Sequence, residues 1–289
     1  MEIVRERHAR AADGTEIFFT DRGKGPAIVL LDGLACDGFV WRYLEPALAD
    51  RLRIVHLHHR GHGRSATPSD VNTTIGHLVE DLEVVRAGAG LDRMVLCGHS
   101  MGVQISLEYA RRRPDRVAGM VLVCGSPGHL LSNFMNTDSL ALLLPFVQRA
   151  YAHDPPGFRW LWENFPVQLA YSLALKTRQV NPLLVRRPDL YFYLRHLRRV
   201  DIGLFLSLVQ SLHEHDAVPF LPDLAMPALI IAGEHDTFMP PSLAMFMARE
   251  MPDAEFLLVR GGSHTTPIEM PELVNLSVER FLYRVGFLS

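Results

Sequence analysis

Short apolar runs rich in Val, Ile and Leu recur at Ala27–Leu31, Ile54–Leu57, Met94–Cys97, Met120–Cys124, Ala228–Ala232 and Phe256–Val259. Runs without polar alternation predict strands buried on both faces. Thr74 to Ala87 sets Leu78, Leu82 and Val85 against Glu80, Asp81 and Glu83, which is the spacing of a half-buried helix, and Val103 to Arg112 follows a glycine-rich turn into a second helix. Strand and helix in alternation predict an α/β fold, a mostly parallel sheet covered on both sides. The beginning differs. Arg5–Ala11 and Glu16–Asp21 flank Asp13-Gly14, a dipeptide suited to a tight turn, so an antiparallel hairpin is expected to open the sheet.

After Ser126-Pro127-Gly128 the strand pattern stops. Helical patterns broken by Pro145, Pro155-Pro156, Pro166, Pro182, Pro188 and Pro219 take over until Met226-Pro227-Ala228 resumes it. The expected organisation is one core domain split in sequence, residues 1–126 and 223–289, with a helical cap or lid over 127–222. No internal repeat is visible.

Composition narrows the class. Of 289 residues 48% are apolar and 21% charged, which suits a packed globule, and a net charge of -3 lacks the cationic excess of a nucleic-acid binder. Met1 to Arg7 carries charges where a signal peptide would be apolar, and no stretch reaches roughly 18 uncharged apolar residues. A cytoplasmic location without a membrane span is the expectation, and the oligomeric state stays open. Cys36, Cys97 and Cys124 are odd in number, and the last two sit in apolar runs, so no structural disulfide is expected.

The chemistry enters at Val95-Leu96-Cys97-Gly98-His99-Ser100-Met101-Gly102-Val103, where an apolar strand runs through G-x-S-x-G into a helix. Small neighbours let a serine occupy a strained turn that exposes its hydroxyl. That hydroxyl is a poor nucleophile unless a histidine takes its proton and an acid holds the histidine's tautomer. Asp236 follows the run Ala228–Ala232 through Gly233-Glu234-His235, and His264 follows Phe256–Val259 through Arg260-Gly261-Gly262-Ser263. Singly, Asp236 reads as a helix cap and His264 as a loop residue. Together, three residue types in the order Ser, Asp, His at three strand ends converge on one crevice.

With these motifs the chain resembles the α/β-hydrolase superfamily, in its serine-nucleophile, esterase- or lipase-like branch with a helical cap. Further marks are His59-Arg60-Gly61-His62-Gly63-Arg64-Ser65, similar to the family's turn after its fourth strand, and Leu31-Asp32-Gly33-Leu34 with Trp41 after the third. The resemblance implies an oxyanion hole from the backbone N–H groups of Leu34 and Met101. It also implies catalysis by Ser100, Asp236 and His264 with no cofactor or metal. One departure is Asp32, where the family usually has histidine; an aspartate there is expected to turn away and accept backbone N–H bonds in its own loop. The family turn accounts for His56, His58, His59 and His62, and His213-Glu214-His215-Asp216 lacks the spacing of a zinc helix.

Apolar residues abound in the cap, and Trp41, His99, Leu140, Phe146, Trp160 and Phe238 are the candidates for a substrate pocket. The expected function is hydrolysis of small to medium apolar acyl or aryl esters through an acyl-enzyme. The same triad serves lactonases, thioesterases, amidases, carbon–carbon hydrolases and cofactor-free perhydrolases. A ligand receptor of this fold with negligible turnover is the rival from another class.

Overall fold

The computed structural model describes residues 4–129, 139–177 and 179–288, with the side chains of 139–141 outside that description. Eight strands form one sheet in the order β1-β2-β4-β3-β5-β6-β7-β8. Strands β1 (Arg5–Arg10) and β2 (Glu16–Arg22) make the antiparallel hairpin, turning at Gly14 with φ 86°. β2 runs antiparallel to β4 (Arg53–Leu57), and from there β3 (Ala27–Leu31), β5 (Met94–His99), β6 (Val117–Val123), β7 (Ala228–Gly233) and β8 (Ala254–Val259) are parallel. Every residue of β3, β5, β6 and β7 is buried. The edge strand β1 alternates exposed and half-buried positions, as an edge requires.

Helices α1 (Leu44–Leu48), α2 (Ile75–Ala89) and α3 (Met101–Arg112) belong to the first half of the sheet. Two apolar clusters, one on each face, hold it: Val29, Leu96, Leu122 and Ile230 pack under α2 and α3, while Ile28, Val95, Val121 and Ile231 pack against the opposite layer. Of the twelve residues of α3, ten are buried, because this helix crosses the centre of the sheet.

Between β6 and β7 come α4 (Ser139–His153), α5 (Pro155–Asn164), α6 (Val167–Lys176), α7 (Arg187–Leu197) and α8 (Ile202–Glu214). Asp154 caps α5 and Asp201 caps α8, each accepting N–H bonds from the first turn. The two ends of this excursion meet at an isolated antiparallel bridge, Gly128 to Asp216. Past β7, α9 (Pro241–Glu250), α10 (Thr266–Glu269) and α11 (Pro271–Arg284) complete the second half.

Candidate active site

Ser100 sits between β5 and α3 at φ 54° and ψ -112°, a conformation that costs a non-glycine residue on the order of 1–3 kcal/mol. Its neighbours explain how the turn closes. A Cβ on Gly98 would stand 2.3 Å from the Gly102 carbonyl oxygen, and one on Gly102 would stand 2.3 Å from that of Leu31. Only glycines let the strand, the helix and the end of β3 come so close. The Ser100 N–H is held by the Val123 carbonyl at 3.0 Å.

The structure brings Ser100, His264 and Asp236 into one hydrogen-bonded line. Ser100 Oγ donates to His264 Nε2 at 3.1 Å, and His264 Nδ1–H donates to Asp236 Oδ2 at 2.8 Å. The other oxygen of Asp236 accepts the N–H groups of Phe238 at 2.9 Å and Met239 at 2.8 Å, which fixes the carboxylate plane. Asp236 is buried, while His264 keeps an open edge toward the cavity.

Two further groups hold His264, and the sequence singled out neither for this task. His99 Nε2–H donates to the His264 carbonyl at 2.9 Å. Burial and then the nearby His264 push His99 down to about 3, so it stays neutral as a fixed strut. The buried Glu269 accepts from Ser263 N–H at 2.7 Å, Ser263 Oγ at 2.6 Å, Thr265 Oγ1 at 2.9 Å and Asn181 N–H at 2.6 Å. Asn181 belongs to the segment between α6 and α7, so one carboxylate ties the histidine loop to the inserted helices. No motif marks Glu269: three of its bonds come from Ser263 and Thr265 nearby in the chain, and the one that reaches the inserted segment comes from Asn181, 88 residues away.

Asp32 corrects an expectation. Its carboxylate does not bond its own loop; Oδ2 accepts His56 Nε2–H at 2.8 Å, and its carbonyl accepts His59 Nε2–H at 3.0 Å. Parallel pairing of β3 with β4 sets Leu30 opposite His56, which carries the imidazole to the end of β3. Burial opposes both charges, but their attraction holds Asp32 below the usual carboxylate range and His56 above its own. The negative charge beneath Gly33 and Leu34 is therefore compensated. Asp37, further along the same loop, is pushed up to about 7 by burial and by Asp32. It meets His196 Nδ1 of α7 at 3.3 Å.

A cavity of about 700 Å³ opens over Ser100. Leu34 and Met101 line it beside Ser100 and His264, as do His99 and Phe238. Met101 opens α3, where helix geometry leaves its N–H without an intrahelical acceptor. The remaining candidates are placed elsewhere. Trp41 is fully buried behind His99, with ring centroids 6.3 Å apart, and does not reach the cavity. Phe146 and Trp160 are 63% and 66% exposed and face away; at about 100° per residue it is their successors, Val147 on α4 and Leu161 and Trp162 on α5, that look inward. The side chain of Leu140 lies outside the described residues.

A model of the alpha/beta hydrolase fold matches residues 26–271. The chain belongs to the alpha/beta hydrolase fold family. A relative from Caulobacter sp. (strain K31), provisionally named carbamate hydrolase RutD, is 28% identical over 265 residues, covering 89% of this chain and 92% of its own. A pimeloyl-[acyl-carrier protein] methyl ester esterase of Aeromonas hydrophila is 26% identical over 264 residues, covering 90% and 96%. Among solved structures, the enol-lactonase of Burkholderia xenovorans LB400 superposes with a TM-score of 0.78 at 23% identity, covering 96% of this chain and 100% of that one, a likeness of fold. The chain is thus a hydrolase built on the alpha/beta hydrolase fold.

Proposed function

We propose that this hydrolase cleaves carboxylic esters of small to medium apolar acyl or aryl substrates through an acyl-enzyme on Ser100. The observation that carries the reading is the line Ser100–His264–Asp236, which ends in an open cavity walled by Leu34, Leu161, Trp162, Leu194 and Phe238. His264 Nε2 takes the proton as Ser100 Oγ attacks the ester carbonyl, forming the new C–O bond and a tetrahedral oxyanion. The N–H groups of Leu34 and Met101 receive that oxyanion, a contribution of about 3 kcal/mol per donor in measured hydrolases. Collapse breaks the bond to the alcohol, which leaves with the proton from His264. Water then repeats the sequence on the acyl-enzyme, with the same histidine as base. Asp236 keeps the imidazole in one tautomer throughout. No metal or cofactor enters these steps, and residues 127–222 act as the cap that supplies most of the acyl wall.

The pairing of Asp32 with His56 supports turnover over a receptor role, since an uncompensated carboxylate beneath the oxyanion loop would oppose the intermediate. The test is hydrolysis of a chain-length series of p-nitrophenyl esters by wild type and Ser100→Ala, with mass measurement of trapped acyl-enzyme. Steady turnover that disappears in the variant supports the reading; equal turnover in the variant, or none with any ester, lactone or carbamate probe, sinks it.

A further inference from the structure

The inserted helices differ from the core in two ways, in exposed apolar side chains and in charge. Large apolar side chains stand exposed along α4, α5 and α6: Leu142 at 70%, Phe146, Val147, Trp160, Leu161 and Leu173. Three of these, Val147, Leu161 and Leu173, also line the cavity over Ser100, so exposed apolar side chains reach from the outer side of these helices into the cavity wall. Soluble chains rarely leave such a surface to water unless something covers it.

Charge is divided the same way. Residues 139–214 carry nine Lys or Arg against five Asp or Glu, a net +4, so the rest of a chain whose total is -3 carries -7. Arg195, Arg198 and Arg199 cluster at the end of α7 and, with the single acid Glu163, line a recess of about 420 Å³ that shares Arg198 with the cavity wall. Among the described residues none of the three is paired with a carboxylate; Arg198 bonds the Glu163 carbonyl. Arg149 lies over the Phe146 ring at 5.9 Å, placing another cation within the apolar face.

We propose that the α4–α6 face docks on an anionic lipid surface, with the exposed aromatic and aliphatic side chains entering the headgroup boundary and the arginines pairing with lipid phosphates. The acidic remainder of the chain is repelled by the same surface, so the molecule is oriented with the inserted helices toward the lipid. A second copy fits this face less well. A two-fold contact would set +4 against +4, whereas an anionic surface complements both features. Apolar esters dissolved in the lipid then reach the cavity without crossing water.

The test is co-sedimentation of the full chain with vesicles of phosphatidylcholine alone and of phosphatidylcholine mixed with phosphatidylglycerol, at low and high salt. Preferential, salt-sensitive binding to the anionic vesicles is expected, weakened about tenfold or more by Phe146→Ser with Trp160→Ser and about fivefold per charge by Arg195→Gln and Arg199→Gln. Hydrolysis of p-nitrophenyl acetate in free solution should be unchanged in all three variants, which shows that they fold and keeps this test separate from that of the esterase reading. Absence of vesicle binding, binding indifferent to lipid charge and to these substitutions, or a concentration-dependent dimer abolished by Phe146→Ser with Trp160→Ser overturns the proposal.

Discussion

The loops at the ends of β3, β5, β7 and β8 and the helices inserted after β6 face the same cavity, yet they are built on opposite principles. Around Ser100 the reacting groups are held by directional bonds: Asp236 by two N–H groups of its own loop and the His264 imidazole, His264 by His99 and Ser100, Asp32 by His56 of the neighbouring strand. In α5 no residue is fully buried, and in α6 only Val167 and Ala174 are. One wall is fixed by directional bonds and close glycine contacts; the other is a set of apolar side chains with few constraints. The difference separates the reacting atoms from the choice of substrate, so the two can vary independently.

Substitutions on the two walls should therefore fail differently. Ser100→Ala and Asp236→Asn should each lower kcat by about 10⁴-fold or more with little change in KM or in thermal midpoint, as triad removals do. Should either leave kcat within tenfold of wild type, the proposed chemistry is wrong. Gly102→Ala tests the close approach itself: the added Cβ meets the Leu31 carbonyl at 2.3 Å, and a loss of on the order of 3 kcal/mol in urea unfolding is expected. On the apolar wall, Leu161→Ser should cut kcat/KM for long-chain esters about tenfold while short-chain esters keep theirs. Equal loss for both would erase the division of labour argued above.

A smaller effect concerns Asp37. Its carboxyl, held at about 7, carries a proton in the folded chain that the unfolded chain has already released at an ordinary value of 3.8. Its contribution to stability is thus lost as pH rises from the unfolded toward the folded value. Asp37→Asn should stabilise the protein by on the order of 1 kcal/mol at pH 8 and have no such effect below pH 4, read as thermal midpoints across pH. The opposite order would mean that the His196 contact keeps Asp37 ionised.

The sheet was largely legible in the residues, because Ala27–Leu31 or Ala228–Ala232 has no polar face and admits one reading. So was the placement of Ser100, Asp236 and His264 near one another, each announced by a strand end and nearby glycines. The orientation of the inserted helices was not. Phe146 and Trp160 look no different in sequence from Val147 and Trp162, and which turns inward depends on how α4 and α5 lie over the core. Asp32 and Glu269 were opaque for a related reason. The first is explained by an imidazole on the neighbouring strand, the second in part by Asn181 of the segment between α6 and α7, and local propensity carries no trace of either partner.

The bridge between Gly128 and Asp216 has a consequence for inheritance and engineering. At this neck the Ala217 N–H reaches the Pro127 carbonyl at 2.8 Å, and a Cβ on Gly128 would stand 2.1 Å from the His215 carbonyl oxygen. The chain leaves and re-enters the sheet through a clasp that is closed whatever lies beyond it. Loop-closure entropy grows only slowly with the length enclosed, so helices outside the clasp can be shortened, extended or exchanged at small cost to the sheet. A foreign helical segment grafted between residues 129 and 215 should leave Ser100, His264 and Asp236 on the core, provided that it replaces the Asn181 contacts to Glu269 and to the Gly261 carbonyl, which makes this neck a natural junction for exchanging substrate preference.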